Sequence, residues 1–509
     1  MIYLKYILLL IIGISFCSNI SDSLIIFESK DTVDKKAILI PDYHNNEGEF
    51  EFEYLGKSRK IFYYSNISYI NENNAVNLTF SPFFNYKNFK FKIDLEYFLN
   101  LEESDLLTND WSPIGIMEKI DYLELRLFNQ KINFFLGELT NLTFGHGYLL
   151  NKYGNNYNYP IDRNVGIKLK AENSNGSISY TSFISNLDHF SQSSGLLGNH
   201  ISFLISDSFP LRIGFGHIVD LDQFIDYKNY IDKSRKISAF EIDFDFPVFN
   251  ILNKNVLLIG EISAIKFPET RYYKRVDDNE FTNDKKSRDG VWGVLFPGFK
   301  YSLKNYSITL GFNYNSSIFS PYYFNHTYDF EKIRYRIYNI NQNEQNFSDE
   351  GELLMNFSSD DSGENIFIPK DLYTMINGYE NTYDTYGVTA SFERKINNQN
   401  YLNIEYSYFK ELNNSSEALS FNDILIDFSI NKNIFSFPST LDFFISKTFF
   451  ESATFSLLEE NLIYGLTLNL NVYKNLFISA ELKDVFYDKD FDGNVDKISY
   501  TNMGLKFKF

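Results

Sequence analysis

Cysteine is almost absent from the sequence. The single copy, Cys17, stands close to the N-terminus, so no internal disulfide holds the mature chain. Clusters of Lys and Arg are missing as well, and the formal charge is -19, which excludes the basic footprint of a nucleic-acid binder. Beyond the first residues there is no run of about eighteen apolar residues, so no transmembrane helix is expected. Gly-x-Ser-x-Gly, His-Glu-x-x-His and phosphate-binding glycine loops do not occur, and an enzyme is not expected. Amphipathic helical patterns are scarce.

Aromatic residues are abundant, at 18% of the chain and mostly Phe and Tyr. Compositional drift in an AT-rich genome produces that excess, and so do aromatic girdles at membrane interfaces. The N-terminus, MIYLKYILLLIIGISFCSN, places Lys5 before an apolar stretch from Tyr6 to Phe16, with small residues around Cys17. This predicts a secretory signal peptide over 1–17 and an exported chain. Lipidation of Cys17 is the alternative, although Phe16 stands where such a site takes a small residue. Residues 18–47 carry no alternating pattern and are expected to form a periplasmic leader or a short plug.

Most of the remaining chain alternates with period two, the signature of strands with unlike faces. Leu462, Tyr464, Leu466, Leu468, Leu470 and Val472 alternate with Asn461, Ile463, Gly465, Thr467, Asn469 and Asn471. Tyr306, Ile308, Leu310, Phe312 and Tyr314 alternate with Ser307, Thr309, Gly311 and Asn313. Leu211, Ile213, Phe215 and Val219 form a third such set, with others in 123–127 and 402–408. The chain is therefore nearly all-β. Alternation does not say whether the apolar face looks into a core or out to lipid. The connections do: walking back from the C-terminus, long and short links alternate almost throughout. That rhythm belongs to an up-and-down barrel rather than a Greek-key sandwich.

The last ten residues, YTNMGLKFKF, place Met503, Leu505, Phe507 and Phe509 on one face. A closed barrel leaves no open edge, so this strand is expected to pair with the first. At this point the sequence resembles the outer-membrane β-barrel (porin-like) proteins of double-membraned bacteria. The resemblance implies that Phe509, Phe507 and Leu505 form the terminal signal read by the barrel assembly machinery. It also implies outer-membrane lipid around the wall, small solutes as cargo and room for an oligomer. The expected fold is a transmembrane antiparallel up-and-down barrel over 48–509 with about eighteen strands, an even number between sixteen and twenty. Segments 60–70 and 74–85 supply the extra hairpin at the upper limit.

Residues 488–496, DKDFDGNVD, put Asp488, Asp490, Asp492, Asn494 and Asp496 at alternate positions of a calcium loop, with Gly493 at the sharp turn. Ser499 replaces the bidentate Glu of an EF-hand, so weak Ca2+ binding in an outer loop is the expectation, with a solvated acidic hairpin as the alternative. The longest link, 316–384, is acidic and is expected either to fold into the lumen or to extend from the surface. His146, Tyr148, Tyr153 and Tyr157 lie among glycines in 142–157 and read as an interfacial girdle rather than a sugar platform. His189 and Ser191 resemble the His-x-Ser of outer-membrane phospholipases only faintly. Gln192 replaces the family's Asn, and the segment reads as a loop. The sequence therefore points to a diffusion pore for small hydrophilic solutes with a cation bias. The alternatives are a fatty-acid-channel-like transporter plugged by 23–47, or a surface antigen anchored by the barrel.

Overall fold

The computed structural model describes residues 61–508 except 71–74, 87, 101–105, 108–116, 118, 156–163, 226–234, 252–253, 269, 278–279, 287–290, 304, 318, 338–364, 371–383, 398–399, 413–419, 435–436, 452–461, 474–475 and 488–495. The expected signal peptide, the 18–47 segment, Tyr157 and Phe509 lie outside the described residues.

One 22-stranded sheet contains nearly all of the regular structure, and every pairing in it is between neighbours running in opposite directions. Two of its strands, Phe89–Ile93 and Leu95–Asn100, are halves of one stave interrupted at Asp94, because both pair with Ala75–Tyr86. The two-residue strand Leu106–Leu107 pairs only with Leu95–Asn100 and adds no stave. The wall is therefore a ring of twenty staves. The two beyond the expected eighteen are the optional hairpin, Ile61–Ile70 with Ala75–Tyr86.

The ring closes through the terminal strand. Asp496–Lys508 pairs with Leu476–Tyr487 on one side and with Ile61–Ile70 on the other. Leu505 stands opposite Ile67, and Phe507 opposite Ser65. Both end strands of the sheet are thereby paired on each side, as a spanning sheet requires where water is absent.

Burial settles which way each face looks. In the stave Tyr306–Asn315, Ile308, Leu310 and Phe312 are exposed, Phe312 at 48%, while Asn313 and Asn315 are buried. In Asn400–Glu411, Tyr406 is exposed while Asn403 and Ser407 are buried. Leu466 and the terminal Met503 and Leu505 are exposed in the same sense. The apolar faces form the outside of the barrel and the small polar residues the inside, the reverse of a soluble sandwich.

At one end, staves are joined by tight links such as 252–253, 303–305, 398–399 and 474–475. Two links expected to be moderate, 247–254 and 431–438, shrink to two residues because Ile237–Ile251 and Ser420–Ile434 run on past the expected ends. The opposite end carries the long links, except for 71–74. The link after Lys266 contains its own hairpin, Thr270–Asp277 with Glu280–Lys286. The link after Asn315 contains the helix Tyr328–Glu331 and the hairpin Ile333–Ile337 with Asn365–Pro369.

Candidate functional site

The links at 138–155 and 316–332 turn into the barrel and interlock. Leu142 and Tyr153 exchange backbone hydrogen bonds of 3.0 and 2.9 Å, which closes the first into a compact loop. The second lies alongside it. Tyr322 N–H donates to Tyr148 O at 2.8 Å, and Asn151 N–H donates to Phe324 O at 3.0 Å. Leu150 and Phe324 form a parallel bridge. Backbone groups with no stave to pair with are thus satisfied by one another.

This plug has an apolar core of its own. Leu142, Phe144, Tyr148, Leu149, Leu150 and Tyr153 pack with Phe319, Tyr323, Phe324 and Tyr328, and Phe324 is 0% exposed. The same cluster takes in wall residues Ile218, Ile237, Ala239, Ile265, Val291 and Leu295, which face inward from neighbouring staves. The inner face of the wall on this side therefore carries apolar residues as well as the carboxylates Glu241, Asp243 and Glu261.

Polar anchors set the orientation of the plug. Tyr148 donates its phenol to Asn315, Tyr153 to Asp329 at 2.6 Å, and Tyr328 to Asp220 at 2.8 Å. Burial holds the phenols of Tyr148, Tyr153, Tyr322 and Tyr328 above their usual range, so they act as neutral donors. Glu261 of the stave Lys254–Lys266 accepts the His146 N–H at 2.7 Å and the Leu149 N–H at 3.2 Å. Gly145 makes this approach with φ 51°; a Cβ there would lie 2.9 Å from Glu261 Oε2.

On its other side the plug touches the wall through polar groups. Lys152 Nζ lies 2.5 Å from Glu405 Oε1, Asn151 donates to Glu405 Oε2 at 3.1 Å, and Tyr322 and Ser407 share a hydrogen bond of 3.0 Å. His326 stands edge-on to the inward-facing Phe444, ring centroids 5.2 Å apart. Contacts to opposite arcs of the ring place the plug inside the lumen.

Beyond these contacts the described residues leave a cleft between the plug and the staves Ser420–Ile434, Phe437–Glu451, Leu462–Tyr473 and Leu476–Tyr487. Asp427, Asp442, Thr467, Glu481 and Lys483 line it from the wall, and Lys152 and His326 from the plug. A second cleft shares Lys152, His326 and Leu425 and continues past Asn325, Glu331, Lys370, Asp423 and Ser446. Charged side chains project among apolar ones along the gap, and carboxylates outnumber cationic groups there.

The residues singled out from the sequence are distributed unevenly over this arrangement. Leu505 and Phe507 lie in the closing strand. Asp488, Asp490, Asp492 and Asn494 are outside the described residues; Asp496 opens the closing strand, its backbone opposite Tyr487. The described part of 316–384 takes the inward course, of its two expected ones. Tyr148 and Tyr153 do not form an interfacial girdle: both are buried in the plug core. Aromatic residues between glycines serve either role, and only the inward turn of the chain separates them. Residues 187–191 form a short helix capped by Asn186, and Ser191 Oγ donates to Asp188 O. Glu261, Glu405, Asp427 and Asp442 were missed. Their signal was present, since each is a carboxylate that alternates with outward-facing apolar residues in its strand.

No family model and no curated protein matches the chain. Among solved structures it is similar to the FrpB iron transporter of Neisseria meningitidis (F3-3 variant), at 9% identity and a TM-score of 0.36, covering 89% of this chain and 82% of that one. It is also similar to Wzi, an outer membrane protein of Escherichia coli, at 10% identity and 0.32, covering 88% and 84%. A third is the outer membrane protein OprD of Pseudomonas aeruginosa, at 7% identity and 0.33, covering 88% and 93%.

Proposed function

We propose that the chain is an outer-membrane channel through which small hydrophilic solutes diffuse, passing beside the plug rather than through its centre. The observation that carries this reading is the asymmetry of the lumen. The plug is fixed by apolar packing to one arc of the wall and leaves a gap along another, into which charged side chains project. The exposed apolar belt, with Leu310, Phe312, Leu466 and Met503 among its members, suits surrounding lipid. Twenty staves enclose more space than side chains alone fill, so water occupies what the plug does not.

Selectivity follows from the lining. Asp427, Asp442 and Glu481 line the gap with two lysines, Lys483 on the wall and Lys152 on the plug, which favours cations of modest size over anions. The same charged groups oppose an apolar cargo. Calcium is proposed separately for the loop of Asp488, Asp490, Asp492, Asn494 and Asp496, and calorimetry should find a heat that Asp490→Ala abolishes.

The test is single-channel recording from the chain refolded without 1–17. Steady current steps, with a reversal potential that favours K+ over Cl-, are expected. A folded, heat-modifiable barrel that passes no current overturns the reading.

A further inference from the structure

Three neighbouring staves place a histidine and two carboxylates on one patch of the inner wall. His200 on Leu196–Leu204 is opposite Gly216 on Arg212–Asp220, and Gly216 is opposite Glu241 on Ile237–Ile251. Gly214, two residues along the middle stave, is opposite Asp243. The middle stave thus offers no side chain where its neighbours need room. A Cβ on Gly214 would lie 2.1 Å from Asp243 Oδ2, and one on Gly216 would lie 2.4 Å from Glu241 Cγ. Both carboxylates lean over the glycines towards the imidazole. His200 Nε2 is 2.7 Å from Asp243 Oδ2 and 3.9 Å from Glu241 Oε1. One donor atom from each of the three residues lies within 4.8 Å of the other two.

Glu241 makes this more than an acidic cluster. It is 2% exposed, and neither carboxylate oxygen has a hydrogen-bond donor among the described residues. Its close polar neighbours include two further acids, Glu261 and Asp243. Glu261 is already served by the plug, accepting backbone N–H groups of His146, Tyr148 and Leu149 and the Ser263 hydroxyl. Asp243 is served by His200. A buried carboxylate with no donor, beside two other carboxylates, calls for positive charge at that point.

We propose that His200, Glu241 and Asp243 bind a divalent first-row transition cation of the zinc or manganese class. One imidazole nitrogen and two carboxylate oxygens suit such ions, with a further position left for water. The imidazole argues against calcium, which takes oxygen ligands. The ion would lie under the tip of the plug, where Phe144 packs on the His200 ring at 5.3 Å and Gly145 rests on Asp243. It would neutralise the wall beneath the anchored side of the plug, away from the open gap.

The proposal stands apart from the diffusion reading, because it is tested by binding and not by current. The full refolded chain in detergent, stripped with a chelator and desalted, is titrated calorimetrically with ZnCl2, with MnCl2 and with CaCl2. One saturable zinc or manganese site per chain is expected. His200→Ala and Glu241→Gln should each weaken it more than about tenfold. Calcium heat, if any, should survive His200→Ala. Should the variants fail the heat-modifiability check, zinc X-ray absorption on the unaltered chain decides: one imidazole with oxygen ligands supports the site, and all-oxygen or several-imidazole ligation overturns it. Absence of saturable zinc and manganese binding overturns it as well and leaves a proton shared between Glu241 and Glu261 as the neutralising charge.

Discussion

Lys152 Nζ lies 2.5 Å from Glu405 Oε1, and this pair joins the plug to the stave Asn400–Glu411, four staves round the ring from the one that carries Glu261. Lys152 also lines both open spaces. It is the one cationic group common to the whole gap among the described residues. Lys152→Met should therefore raise the permeability of cations over anions, moving the reversal potential in a KCl gradient further towards the K+ equilibrium value. Glu405 then keeps only its neutral donors, Asn151 and Asn403, so stability should fall by about 1–3 kcal/mol. Lys152→Arg should leave selectivity near its starting value. An unchanged reversal potential in Lys152→Met would mean that ions pass elsewhere.

Adjacent residues of one stave give a sharper test of the barrel's inside and outside. Leu466 is exposed on the outer face, and Thr467 lines the gap. Leu466→Arg should cost up to about 2–4 kcal/mol of folding free energy in a bilayer, according to its depth. Thr467→Arg should fold normally and lower cation conductance instead. Denaturant unfolding in vesicles, paired with current recording, reads both. Equal destabilisation by the two substitutions would contradict the assigned faces.

The plug should be separable from the wall. Phe324 is completely buried at the meeting of the two inward loops. Phe324→Ala leaves a cavity there, with a local cost of about 3–5 kcal/mol. The strand pairings that close the ring do not depend on that side chain, so the barrel should remain heat-modifiable. Faster amide exchange at Leu149–Tyr153 and a larger single-channel conductance are expected. If exchange and conductance both stay at their original values, the plug does not limit the pore.

Acid should loosen the plug through His326. Burial lowers its imidazole to about 4, and the neighbouring Lys152 and Lys370 act in the same direction while Glu331 and Glu405 oppose. In the unfolded chain the group titrates near 6.5. Between those values the unfolded state holds the extra proton. The stabilisation is therefore fully present above about pH 6.5 and is lost as the pH falls towards 4, at up to about 1.4 kcal/mol per unit. Amide exchange around Tyr323–Thr327 should quicken from pH 7 to pH 4.5, and His326→Gln should flatten that dependence. A variant with the same pH profile as the unaltered chain would assign the effect to the surrounding carboxylates.

How much was legible beforehand differs between wall and lumen. Period-two alternation located the staves because a strand between lipid and water must present unlike faces, as Leu466 and Thr467 do. The closing strand was legible for the same reason, in Met503 and Leu505. The strand ends near 251 and 434 were not, because pairing continues there after the period-two alternation has broken, at 247–249 through a bulge.

The sequence by itself determined the closed antiparallel barrel, its direction of alternation and its rhythm of links, since these follow from short-range pattern and from the need to pair every backbone group. The tertiary structure alone decided what fills it. Tyr148, Tyr153, Phe324 and Tyr328 come from links separated by more than a hundred and fifty residues, and nothing local marks them as one core. The same folding inward turned Glu261 into an anchor, Glu405 into the partner of Lys152, and Asp427 and Asp442 into the lining of the gap. Those roles arise from which faces meet across the lumen, a property of the closed ring and not of any segment within it.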